Sequence, residues 1–165
     1  MTSPPNTRPL VLLDVDGVLH DRRARDRIRI SDDPEALAVT LGVHWASAGG
    51  IRFAIPYAVT SLILRLVQIT EVWWCTTWGD RANEYLAPVI GIEALPVVGA
   101  GTRGIGLSWK VEQARQLIEA AVASGRRVIW IEDFDGAFPD LPQVEFVDTA
   151  ATGLVSEDDL PPGLL

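Results

Sequence analysis

The sequence predicts an α/β protein built on a mostly parallel sheet, and three observations carry the prediction. Short apolar runs alternate with helical patterns along the chain, those runs are apolar at consecutive positions, and they end in polar residues followed by turns. Consecutive apolar positions imply burial on both faces, the environment of a parallel strand between layers of helices.

The elements follow in order. MTSPPNTRP, with its prolines and small polar residues, reads as a flexible leader over 1–9, and a single domain is expected over 10–165. LVLLDVD, from Leu10, is a buried strand that meets a turn at Gly17. Between Gly17 and Pro56 the pattern is weak, an irregular or partly helical excursion too short for a large lid domain. YAVTSLILRLVQ, from Tyr57, has helical spacing behind Pro56, and EVWWCTT is a second strand. DRANEYLAP reads as a short helix stopping before Pro88, and LPVV as a third, shorter strand. GAGTRGIGL is a glycine-rich loop, followed by a helix from an N-cap at Ser108 to a stop at Gly125. RRVIWIED and VEFVD complete the sheet as fourth and fifth strands.

With 48% apolar and 22% charged residues, a chain of 165 residues can bury a real core without staples. A lone cysteine, Cys75, excludes an internal disulfide and a cysteine-based zinc site, and it reads as a packing residue inside its strand. The N-terminus has no secretory pattern and no apolar run approaches the roughly 18 to 20 residues of a membrane span, so a cytoplasmic protein without membrane contact is expected. A net charge of −8 argues against non-specific adhesion to nucleic acid, although RRARDRIR, from Arg22 to Arg29, allows a local positive patch.

In an open parallel sheet the functional groups gather beyond the carboxyl ends of the strands. Here those ends carry Asp14 and Asp16, then Thr76 and Thr77, then Glu132 and Asp133, while Lys110 opens the helix leading to the fourth strand. Two carboxylates two residues apart can share phosphoryl transfer, one attacking phosphorus and the other moving the proton of the leaving oxygen. Further acids suit Mg²⁺, and a lysine and a hydroxyl can neutralise and position phosphoryl oxygens.

DVDGVL resembles the first motif of the haloacid dehalogenase-like (HAD) superfamily, WCTTW its second, Lys110 its third and IEDFD its acidic fourth; together they span residues 10 to 135. The resemblance implies a Rossmann-like three-layer α/β sandwich with no or minimal cap, and a Mg²⁺-dependent phosphatase. It implies Asp14 as nucleophile forming an aspartyl-phosphate, Asp16 as general acid and base, and Lys110 as partner of nucleophile and phosphate. Thr76 would bind the phosphoryl group, with Thr77 the competing position, and Gly17 would lie against the substrate. The metal would be held by Asp14, the backbone carbonyl of Asp16, and Glu132 or Asp133, with Asp135 an alternative because the first acid of the fourth motif is here a glutamate. WCTTWGDRAN and the terminal VDTAATGLVSEDDL are similar to the HAD-type domains of Swiss Army Knife RNA repair proteins, which implies a phosphorylated substrate such as a nucleic-acid end. A nucleotide or small-molecule phosphatase and a non-catalytic binding module are the competing expectations.

Other residues invite sharper readings than they earn from sequence. His20 lies close enough to the first motif to touch substrate, and Trp78 and Trp109 stand beside site residues where they could stack on a base, but packing is the favoured role for all three. Gly99, Gly101 and Gly104 satisfy GxGxxG, yet no acid ends a strand about 20 residues on, so a loop beside the cleft is expected and not a dinucleotide site.

Overall fold

The computed structural model describes residues 7–48, 50–134 and 138–165; residues 1–6 of the expected leader and Asp135 lie outside the described residues. Four parallel strands form the central sheet: β1 (Leu10–Leu13), β4 (Glu71–Trp74), β5 (Val128–Glu132) and β6 (Val144–Asp148), in the order β4-β1-β5-β6. Leu10 lies between Glu71 on one side and Val128 on the other, and Val128 pairs in turn with Val144.

Alternation along β1 builds the layers. Val11 and Leu13 pack with Ile63 and Leu66 of α3 (Tyr57–Ile69), while Leu10 and Leu12 pack with Ala114, Ile118 and Ala121 of α6 (Gly106–Ala123). Both faces are covered, so both sets of side chains leave water, and the protein has the α/β three-layer architecture expected of the HAD-like fold. Among the described residues no helix is long and apolar enough to cross a membrane. Cys75 is fully buried between these layers, and burial pushes its thiol far above the usual range, as a packing residue requires.

Three expectations need correction. LPVV is not a full strand: Val97 forms a single bridge to Trp74, flanked by Trp74 N–H to the Pro96 carbonyl at 2.9 Å and Val98 N–H to the Trp74 carbonyl at 2.8 Å. Pro96 has no N–H to extend the ladder, and the glycine-rich loop starts directly after Val98. Pro88 does not end the helical segment. The short α4 (Arg81–Tyr85) passes through Leu86 into α5 (Ala87–Ile90), where the proline sits in the first turn and its missing N–H costs nothing. The long helix begins at Gly106 behind Ile105, with no side-chain cap, so Ser108 lies inside the first turn. Its end is as expected, with Gly125 at φ +75° just past the last turn.

The excursion after Gly17 is more ordered than its pattern predicts. It holds α1 (Arg22–Arg29), α2 (Pro34–Leu41) and an antiparallel hairpin of β2 (Val43–Ala48) and β3 (Ile51–Pro56). Asp21 caps α1 by accepting from Ala24 N–H at 2.8 Å, and Asp33 caps α2 by accepting from Ala36 N–H at 3.1 Å. Ala24, Ile28, Ala38, Val43 and Ala54 form a small core of their own, while Phe53 and Ile55 join the main core beside the sheet.

Candidate active site

Strand periodicity decides what faces what. Asp14 continues the face of Leu10 and Leu12, and Glu132 that of Val128 and Trp130, so both carboxylates point to the α6 side. Lys110 stands one helical turn before Ala114, on the stripe of α6 that packs on this face. The three side chains therefore meet: Lys110 Nζ lies 2.9 Å from Asp14 Oδ1 and 2.9 and 2.7 Å from Glu132 Oε1 and Oε2. They are 4, 6 and 5% exposed for Asp14, Glu132 and Lys110 respectively.

Charge is unbalanced here. Asp14, Glu132 and Asp133 each offer a carboxylate oxygen within 4.8 Å of the others, against the single ammonium of Lys110. Burial, then the neighbouring Asp14, pushes Glu132 and Asp133 upward. Burial alone would lower Lys110, but Asp14 and Glu132 outweigh it and hold the ammonium above its ordinary value. A divalent cation that takes oxygen ligands fits this donor set by chemistry and by charge.

A cavity of about 320 Å³ opens above the triad, lined by Asp14, Asp16, Arg22, Thr77, Lys110, Glu132 and Asp133 among others. Asp16 faces it from outside the acidic cluster. Its Oδ2 accepts from Trp78 Nε1 at 2.8 Å, and its Oδ1 lies 3.9 Å from the Arg22 guanidinium. Thr77, in the turn after β4, is exposed and lines the cavity; Thr76 is buried, is not among the lining residues, and accepts from Trp78 N–H at 3.3 Å. Gly17 lines an adjoining cavity of about 340 Å³ instead. With φ +72° it needs the left-handed region, and a Cβ there would meet Asp133 Oδ2 at 2.3 Å, so glycine allows the loop to close on the acid.

Residues 10–159, from the first residue of β1 through the short turn Glu157–Asp159, match the family described as the HAD domain in Swiss Army Knife RNA repair proteins. The chain belongs to this family. No curated protein and no solved structure matches it.

Two supports of this HAD domain's site escape a sequence reading. Trp78 sits directly after the hydroxyl pair, but its aim at Asp16 depends on the turn that follows β4, and its ring lies edge-on to Phe53 of the hairpin at 6.4 Å. Thr149, fully buried after β6, donates its hydroxyl to the Gly17 carbonyl at 2.6 Å, while its N–H reaches the Glu132 carbonyl at 3.0 Å. It ties the loop after β1 to the end of β5. His20 serves this frame too: its Nδ1 accepts from Ala54 N–H at 3.2 Å, and burial, then Arg25, lowers its pKa, so it stands as a neutral acceptor holding the hairpin.

Proposed function

We propose that this domain is a Mg²⁺-dependent phosphomonoester hydrolase acting through an aspartyl-phosphate, with a cleft suited to a phosphorylated nucleic-acid end. The observation that carries the proposal is the buried Lys110 clamp on Asp14, set in a cavity that Asp16 also lines. Asp14 attacks phosphorus as the bond to the leaving oxygen breaks, and Asp16 gives that oxygen its proton. Asp16 then takes a proton from water, whose oxygen attacks phosphorus; the bond to Asp14 breaks and phosphate leaves. Lys110 orients Asp14 and offsets charge on the phosphoryl group, and Thr77, rather than Thr76, offers the hydroxyl. Bound Mg²⁺, held by Asp14, the Asp16 carbonyl and an acid at the end of β5, would neutralise phosphoryl oxygens.

The test is hydrolysis of an aryl phosphate with and without Mg²⁺, followed by a panel that sets phosphate-ended oligonucleotides against nucleotides and sugar phosphates. Turnover that requires the metal and favours the oligonucleotides is the expected result. No metal-dependent turnover of any ester would leave the domain a binding module.

Trp78 gives the proton-transfer role a sharper test. Trp78→Phe keeps a ring but removes the N–H that fixes Asp16, so part of the roughly 10²–10⁴-fold supplied by general acid catalysis is lost, about tenfold for an alkyl phosphate. An aryl phosphate, whose leaving group needs no proton, should be affected much less. Equal losses for the two esters would count against Asp16 as the proton donor.

A further inference from the structure

A cavity larger than the one that holds the carboxylates lies beside it. This groove of about 910 Å³ shares Thr77 as a common wall and runs between the turn after β4 and the glycine-rich loop that precedes α6. The smaller cleft, about 320 Å³, accounts for a phosphoryl group and its immediate ligands. The groove is large enough for the rest of a drug-sized ligand, at the upper end of the range in which such ligands are bound.

Its lining has a definite chemistry. Trp78 and Trp109, both half-buried, line it with indole rings; the loop backbone at Gly104 lies so close against Trp109 that a Cβ there would meet the ring at 2.1 Å, and Trp78 stands edge-on to Phe53. Ile105, 88% exposed, adds an apolar contact to the lining. Arg81 and Arg103 are exposed, and neither makes an ion pair among the described residues. In a chain of net charge −8, the charged residues of this groove are those two arginines and Asp80, a local positive balance. Indole rings beside guanidinium groups that form no ion pair among the described residues suit a ligand that alternates planar rings with anions.

We infer that the groove lined by Trp78, Arg81, Arg103, Gly104 and Trp109 is a nucleotide subsite, holding the nucleoside next to the scissile phosphate and the phosphate beyond it in a single-stranded polynucleotide. The inference rests on the phosphatase reading for the position of the scissile group. It extends that reading by assigning the glycine-rich loop and two arginines that phosphoryl transfer itself does not use. Stacking accepts any base through its π face, so the subsite recognises a nucleotide without demanding a sequence. A phosphopeptide would find the same cations but no use for the two indole rings.

The test compares kcat/KM for an aryl phosphate, a phosphate-ended single-stranded oligonucleotide, the same oligonucleotide abasic at its terminal residue, and a phosphopeptide. Loss of the terminal base should lower kcat/KM about 5- to 150-fold, the scale of one base on an aromatic platform. In Arg81→Ala/Arg103→Ala the ratio of oligonucleotide to aryl-phosphate kcat/KM should fall at least tenfold. The salt dependence of oligonucleotide binding, read by fluorescence anisotropy in Ca²⁺, should become shallower by about 1.4 in log–log slope, two single-strand contacts' worth. An unchanged ratio and slope, or an abasic substrate as good as the complete one, would overturn the subsite. An equal loss with the phosphopeptide would overturn its nucleotide identity. Failure to hydrolyse any ester, with the anisotropy slope still reduced in the variant, would overturn the phosphatase reading and leave the groove standing.

Discussion

Asp14→Asn is expected to abolish turnover while leaving the fold intact. An amide cannot serve as the anionic nucleophile, and removing a covalent nucleophile costs on the order of 10⁴–10⁶-fold in enzymes of this kind. Asparagine is nearly isosteric with aspartate, and Lys110 still keeps both oxygens of Glu132, so the fold should survive. Lys110 loses one of its two buried carboxylate partners, however, so the melting temperature of Asp14→Asn without metal should lie below that of wild type. Acid quenching during turnover should trap a hydroxylamine-labile phosphoryl-enzyme in wild type and none in the variant. Activity within about tenfold of wild type would remove Asp14 from the nucleophile's role.

What the sequence made legible, and what it hid, divides along physical lines. The parallel sheet was readable because Leu10–Leu13 and Val128–Glu132 are buried on both faces, which leaves a continuous apolar run. The excursion was not, because α1 is a short, arginine-rich helix whose buried side is only Ala24 and Ile28. Asp21 and Asp33, however, were capping signals that could have been read, the latter followed by a proline at the first helical position. Within the site, the choice between Thr76 and Thr77 was open on motif position alone. Both hydroxyls follow the end of β4, where strand alternation no longer says which way a side chain faces, and only the fold shows that Thr77 lines the cavity with Asp14. Trp78 and Thr149 could not be found from the sequence either, since their hydrogen bonds to Asp16 and Gly17 cross 62 and 132 residues.

The other large effect separates the two acids at the end of β5, whose environments differ. Glu132 is buried with both oxygens on Lys110, whereas Asp133 is partly exposed, lines both cavities beside the triad, and lies against Gly17. Glu132 already meets the lysine with both oxygens, so we propose Asp133 as the acid that meets an incoming cation. Asp133→Ala should raise the Mg²⁺ concentration for half-maximal activity by on the order of 10–100-fold or more, since even residues that only support a metal's ligands have effects of that size. Its melting temperature in the absence of metal should hardly change, but the stabilisation that Mg²⁺ gives wild type by binding the folded state should largely disappear. Glu132→Ala should show the reverse balance. It leaves Lys110 with one carboxylate in place of two in a buried site, and breaking a buried pair costs up to about 3–5 kcal/mol, of which the surviving contact to Asp14 spares a part. Its defect should therefore appear first as a lower melting temperature, with a smaller shift in the Mg²⁺ requirement. A larger metal shift in Glu132→Ala than in Asp133→Ala, at an unchanged melting temperature, would place the direct ligand on Glu132 and return Asp133 to the role of a neighbouring acid.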